Sequence, residues 1–165
     1  MSSAPASTEP ADHPEAHEAP LPTVLAALEA GGIHARVPGR DREAVIQSVV
    51  GLLPLPATVD RQFLFQSLLA REALGSTALG DGIAIPHVRN PIILQVDQPA
   101  IALCYLESAI DFGALDGKPV GILFTMISTT VRVHLHLLAR LAFILKSPAR
   151  ETILAGGDPK SILKA

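Results

Sequence analysis

Two stretches of this chain, Ile101-Ala-Leu-Cys-Tyr-Leu106 and Val120-Gly-Ile-Leu-Phe-Thr-Met-Ile-Ser128, are apolar almost without interruption. A strand with one wet face alternates apolar and polar residues, whereas an unbroken apolar run fits a strand covered on both sides. Strands are therefore expected at Ile101–Glu107 and Val120–Ser128, with a shorter one near Ala84–Pro86. Covering both faces of such a sheet needs helices on each side. The predicted class is α/β, a mixed central β-sheet flanked by helices on both faces.

The helices to do this are present in the pattern. Pro22 sits at a helix start, and Val24, Leu25 and Leu28 recur until Gly31-Gly32 stops them. A short strand fits Ile33–Val37. Asp41 is placed to cap a helix carrying Val45, Ile46, Val49, Val50 and Leu53, and Asp60 to cap another carrying Phe63, Leu64, Leu68 and Leu69. Pro54 and Pro56 separate the two. A long helix is expected from about Thr130 to Lys146 and a shorter one from Ala149 to Ala155. Gly156-Gly157 then acts as a stop and Asp158 caps a last turn.

Residues 1–20 differ from the rest. They hold four prolines and the acids Glu9, Asp12, Glu15 and Glu18, with no Lys or Arg and no large apolar residue after Met1. Such a segment has too little apolar surface to offset the entropy of ordering, so 1–20 reads as a disordered acidic leader and 21–165 as one domain. Without the leader, twelve acidic residues face thirteen basic ones, so the overall charge of -3 belongs to the tail. This is far from the basic balance of a nucleic-acid binder. No run approaches a membrane span and no signal peptide is visible, and the single cysteine, Cys104, lies in an apolar run; a cytoplasmic protein with a buried structural thiol is expected.

The chemistry concentrates in Arg71-Glu-Ala-Leu-Gly-Ser-Thr-Ala-Leu-Gly-Asp-Gly-Ile-Ala-Ile-Pro-His87. This segment leaves a helix, crosses Gly75, Gly80 and Gly82, and enters a short apolar strand that ends on histidine. Glycines let the backbone take positive φ, and their amides can form an anion-holding concavity, with Ser76 and Thr77 adding hydroxyl donors. A glycine-rich connection alone is also an ordinary mobile loop, and a histidine at a strand end is also an ordinary buried, hydrogen-bonded residue.

A histidine can take a phosphoryl group because neutral imidazole offers a lone pair near pH 7, provided an acceptor holds the proton on the other nitrogen. The product gains close to two negative charges, so donors and a cation are needed beside it; Arg71, Ser76 and Thr77 are the candidates. A second histidine, His134, opens the helix Val131-Arg-Val-His-Leu-His-Leu-Leu-Ala-Arg-Leu-Ala142. At about 100° per residue, Val131, Leu135, Leu138, Leu141, Ala142 and Leu145 make one stripe that contains His134, while His136 faces the other side. His134 would thus point into the body near a helix N-terminus, which favours anions; a structural buried histidine is the competing reading.

Other site types fit less well. There is no His-x-x-x-His pair in the globular part, no cysteine pair and no Gly-x-x-x-x-Gly-Lys-Ser/Thr loop, so neither a metal nor a nucleotide is expected. His13 and His17 have helical spacing but stand in the proline-containing leader. Glu107, Asp111 and Asp116 admit an acid–base reading, yet Asp111-Phe-Gly-Ala-Leu-Asp-Gly117 reads better as turns between strands.

Leu-Ala-Arg-Glu-Ala-Leu-Gly-Ser-Thr-Ala-Leu-Gly-Asp-Gly-Ile-Ala-Ile-Pro-His87 closely resembles the active-site signature of type-2 enzyme IIA domains of the bacterial phosphotransferase system, the fructose, mannitol and nitrogen-regulatory family. The resemblance runs from about Leu21 to Leu163 and takes in Ile110-Asp-Phe-Gly-Ala-Leu-Asp-Gly-Lys-Pro-Val120 and His134-Leu-His-Leu-Leu-Ala-Arg-Leu141. It implies an α/β fold with a phosphoryl group carried on Nε2 of His87. His134 matches the family's second active-site histidine, and Arg71 an arginine near the site in mannitol-type relatives. Gly80, Gly82, Ser76 and Thr77 complete the expected phosphate-binding set. Thr129 stands where many relatives carry proline, and His87 is followed by Val88 rather than a small residue.

The resemblance further implies a phosphoryl donor, the histidine-containing phosphocarrier protein or its nitrogen-branch relative (HPr or NPr type), and an acceptor that is either a IIB component or a regulated protein. No cofactor is expected, because the group passes between two imidazoles. Donor docking needs an apolar rim, for which Ile83, Ile85, Val88, Pro91, Ile92 and Ile93 are candidates unless they are core. A regulatory, nitrogen-type role is preferred, since no permease domain is attached. The alternatives are a sugar-specific IIA that donates to a IIB transporter component, and a non-enzymatic regulatory binding module.

Overall fold

The computed structural model describes residues 20–156 and Asp158. The acidic leader with His13 and His17, and the last turn expected after Asp158, therefore lie outside the described residues apart from Pro20.

Local signals place most elements. Thr23 caps helix α1 (Val24–Gly31) by accepting from Ala26 N, so the chain turns helical two residues after Pro22 and not at it. Strand β1 (Ile33–Val37) follows. Asp41 caps α2 (Arg42–Leu52) through Ala44 N, and Asp60 caps α3 (Arg61–Ala73) through Gln62 N and Phe63 N. In each case a carboxylate meets the unsatisfied N–H groups of the first turn. The glycine-rich passage is a small hairpin, β2 (Ala78–Gly80) and β3 (Ile83–Ala84), where sequence reasoning saw only the second strand. Strands β4 (Ala100–Ile110) and β5 (Val120–Ile127) carry the apolar runs. Thr130 caps α4 (Val131–Lys146), and α5 (Ala149–Leu154) ends one residue earlier than expected.

The sheet is mixed, with order β1-β4-β5-β3-β2. β1 runs parallel to β4 and β3 parallel to β5, while β4/β5 and β2/β3 are antiparallel. Alternate residues of β4 enter opposite cores, as the two-residue strand period requires. Ala102 and Cys104 join Val45, Ile46, Val49, Leu64 and Leu68 of α2 and α3, and Ile101 and Leu103 join Leu28 of α1 and Leu137, Leu141 and Leu145 of α4. The buried Cys104 thiol is held up to about 12 by desolvation, so it stays protonated and acts as a small apolar side chain.

Close packing leaves no room for a side chain at Gly31 or at Gly39, and the contact at Gly31 is the tighter. Gly31, the last residue of α1, presses on β4 so tightly that a Cβ there would stand 2.1 Å from the carbonyl oxygen of Ile101. Among the described residues no helix is long and apolar enough to cross a membrane.

Candidate functional site

The parallel ladder between β3 and β5 continues past Pro86, whose carbonyl accepts from Met126 N at 2.9 Å, to a last bridge between His87 and Met126. His87 is thereby delivered to the end of β5. Ser128 lies just beyond it, and Thr130 starts α4. The helix turns His134, four residues on, back toward the sheet, and the two imidazoles stand 5.2 Å apart at a tilt of 49°.

The proton on His87 has a fixed place. Nδ1 lies 2.6 Å from the carbonyl oxygen of Ile85, so Nδ1–H donates and the lone pair is left on Nε2. Burial lowers the His87 pKa, and the Arg71 charge lowers it further against the opposing Ile85 bond; the ring is neutral at pH 7. His134 is buried, with Nδ1 3.3 Å from Ser128 Oγ. Burial first, and then the neighbouring His87, push its pKa down to about 4. The pair is thus two uncharged imidazoles side by side at one sheet end.

This shift has a stability consequence with a definite sign. Between the ordinary value of 6.5 and about 4, the unfolded His134 binds a proton that the folded one refuses. Its contribution to stability is complete above pH 6.5 and is lost as the pH falls toward about 4. Urea midpoints measured at pH 7 and pH 5 should show a drop that is smaller in His134→Gln; an equal drop in both proteins would contradict the assignment.

Arg71 belongs to the same neighbourhood. It sits in the last turn of α3, with Nη1 donating to Gly75 O at 2.7 Å, and its charge reaches His87. Beside it a cleft of about 350 Å³ runs between α3 and the segment after His87, lined by Ala70, Arg71, Leu74, Val88 and Arg89.

The remaining expected phosphate ligands sit elsewhere or are already engaged. Ser76 Oγ donates to Phe112 O at 2.6 Å and accepts from Ala78 N, tying the hairpin to the β4–β5 connection. The Thr77 hydroxyl donates to the buried carboxylate of Glu72, which also accepts from Thr77 N. Gly80 and Gly82 take φ of 94° and 84° at the hairpin turn, where Asp81 N donates to Asp116. Ile83 pairs with Ile122, four residues along β5 from Met126, so this turn lies about 13 Å from His87 at ~3.3 Å per residue. The structure gathers His87, His134 and Arg71 and leaves these glycines at the opposite end of the strand.

One alternative about apolar faces is settled and one expectation is corrected. Ile83, Ile85 and Val88 are buried in the core and offer no rim. On α4 the buried stripe is His134, Leu137, Leu141 and Leu145, whereas Val131 and Leu135 are exposed. The N-terminal half of α4 is apolar on more than one side, so a wheel alone cannot choose its inward face. His136 is half-buried, with Nε2–H donating to Pro22 O at 3.1 Å. Asp111 and Asp116 accept from Gly113 N and Lys118 N in turns.

Sequence reasoning missed the Ile85 carbonyl, Ser128 and Glu72. A carbonyl leaves no trace in composition, and the partners of Ser128 and Glu72 are set by tertiary placement.

Comparison with known proteins gives consistent results. The family described as "Phosphoenolpyruvate-dependent sugar phosphotransferase system, EIIA 2" matches residues 27–165. A nitrogen regulatory protein of Pseudomonas aeruginosa is 38% identical over 122 residues, 72% of this chain and 77% of that one. The fructose-specific EIIABC component of Bacillus subtilis is 30% identical over 79% of this chain, which spans 21% of that larger protein. The crystal structure of nitrogen regulatory protein IIA-Ntr from Neisseria meningitidis superposes with a TM-score of 0.72 at 28% identity, covering 85% of this chain and 98% of that one.

Proposed function

Because this chain belongs to the EIIA type 2 family of the phosphoenolpyruvate-dependent sugar phosphotransferase system, we propose that Nε2 of His87 accepts a phosphoryl group from a histidine phosphocarrier protein and passes it on. One observation carries the reading: the 2.6 Å bond from Nδ1–H to Ile85 O, which leaves the lone pair on Nε2.

The step follows from that geometry. The Nε2 lone pair of His87 attacks phosphorus as the P–N bond to the donor's imidazole breaks, and the donor leaves with that electron pair. No proton leaves His87, because Nε2 carried none. The ring becomes cationic as the new N–P bond forms, and the Ile85 carbonyl dipole, already on Nδ1–H, stabilises it. Arg71 supplies positive charge for the phosphoryl oxygens once its guanidinium turns from Gly75 O. With Ser128 O–H donating to Nδ1 of His134, the Nε2–H of that ring is a further donor.

The docking surface in this reading is the exposed apolar pair Val131 and Leu135 on α4, with Leu74 at the end of α3. The domain is 21–165 and acts in the cytoplasm, where its donor would be found. A regulatory branch is favoured by the 38% identity to a nitrogen regulatory protein, against 30% to the fructose-specific component. Restoration of growth on fructose in a strain lacking its own fructose IIA would favour the sugar-specific reading.

Incubation with phosphoenolpyruvate, enzyme I and phosphocarrier protein should place acid-labile, base-stable phosphate on the chain. The absence of any label would favour a pure binding module. His134→Ala should remain folded yet slow acceptance by about a hundredfold to a thousandfold, the scale of one lost donor to a developing charge. Stopped-flow transfer rates check this, and an unchanged rate in a folded variant removes His134 from the mechanism.

A further inference from the structure

A buried carboxylate next to a phosphorylation site calls for explanation, since its charge repels the incoming group. Glu72 is 3% exposed and sits in the last turn of α3 beside Arg71. Its two oxygens take separate bonds: Oε2 accepts from Thr77 N at 3.2 Å and Oε1 from the Thr77 hydroxyl. Thr77 O in turn accepts from Ile85 N at 3.1 Å, and Ile85 O accepts from Nδ1–H of His87. Four residues, from α3 through the segments that flank β2 and β3, are thereby linked in series by hydrogen bonds.

We propose that Glu72 is the positioning residue of His87, acting through Thr77 and Ile85 to hold the Ile85 carbonyl where it selects the Nδ1–H tautomer. The inference rests on the phosphoryl-acceptor reading of His87 and deepens it. Residues 78–80 form only a three-residue strand, paired to a two-residue one. So short a ladder has little register strength of its own. The carboxylate supplies the missing anchor by fixing both the backbone and the side chain of the residue entering β2. It is a second-tier support of the kind that sets which nitrogen of a histidine carries the proton. Glu72 touches neither phosphoryl group nor nucleophile. Burial raises its pKa, against the opposing effect of the two Thr77 bonds and of the Arg42 and Arg71 charges.

The same arrangement gives the α3–β2 connection a division of labour. Arg71 and Glu72 are adjacent, and their side chains fasten Gly75 O and Thr77 respectively. Arg71 can leave its partner for a phosphate without loosening the hairpin, because Glu72 holds it independently.

The test is nitrogen-15 NMR of the His87 ring in the unphosphorylated full chain, alongside transfer kinetics. Wild type should show Nδ1 as the protonated nitrogen. Glu72→Gln, which loses one acceptor oxygen, should shift population toward the Nε2–H tautomer and lower the acceptance rate by about tenfold or more with donor KM unchanged. Thr77→Val should reproduce that effect in part, while Thr77→Ser, which keeps both donors, should match wild type. A folded Glu72→Gln protein with wild-type ring shifts overturns the proposal, as does a Thr77→Ser variant as impaired as Thr77→Val. Should Glu72→Gln fail to fold, the threonine pair decides alone. If wild type takes no phosphoryl group at all, the acceptor reading fails, while the ring shifts still report whether Glu72 sets the tautomer.

Discussion

His87→Ala is expected to remove every trace of phosphate label delivered through enzyme I and phosphocarrier protein. The alternative acceptor is His134, 5.2 Å away, and its environment argues against substitution. That ring is buried, its Nδ1 faces Ser128 Oγ, and no backbone carbonyl takes a proton from Nδ1 as Ile85 does for His87. An imidazole whose Nε2 carries the proton has no lone pair there to offer. Removing the His87 side chain also takes away a neighbour that lowers the pKa of His134 and does nothing to reorient it. The variant should fold, since His87 is only partly buried and makes one side-chain bond. Acid-labile label that persists in folded His87→Ala would sink the acceptor assignment, and label that moves to His134 would replace it.

The second large effect concerns the scaffold. Gly31→Ala places a methyl group 2.1 Å from Ile101 O and 2.7 Å from Ala102 N, both backbone atoms of the central strand β4. Neither can yield as a flexible side chain would, so α1 must lift from the sheet. The expected cost is about 3 kcal/mol or more, at the upper end for one added methyl group in a packed core. At Gly32, where φ is +82° and ψ 172°, a Cβ would meet only the tip of the His34 ring at 3.3 Å, and alanine there should cost about 2 kcal/mol through backbone strain alone. Urea denaturation of the two variants separates these causes. A Gly31→Ala protein as stable as Gly32→Ala would mean that the helix-to-sheet contact is looser than described.

The glycine pair also shows where sequence reasoning reaches its limit. Gly31-Gly32 is legible as a helix stop, yet the closeness of Gly31 to β4 depends on how a helix lies across a strand seventy residues later. Caps at Asp41 and Asp60 are legible because the carboxylate bonds within three residues of itself. β4 and β5 announce themselves by apolar runs too long for a half-wet strand. Strand β2, three residues with a glycine, exists only because β3 is there to pair with it.

The candidate site divides in the same way. His87, His134 and Arg71 carry recognisable chemistry and converge in space. Gly80 and Gly82 do adopt positive φ, but the register of β3 on β5 decides that their turn lies far from the histidine. The hydroxyls of Ser76 and Thr77 look available in the sequence, and long-range partners, Phe112 O for one and the Glu72 carboxylate for the other, claim them. A local pattern names the donors without saying who receives.

The bond between His136 and Pro22 bears on how this protein can be handled at the bench. Pro22 O is pinned to the second turn of α4, two residues past His134. A probe attached at Leu21 therefore stands against the helix that carries His134. An affinity tag or fluorophore placed there would crowd an approaching donor, whereas a label on exposed Leu115, in the turn joining β4 and β5, would sit at the far end of the sheet. Transfer rates measured with the two placements should differ even though neither touches a residue of the site.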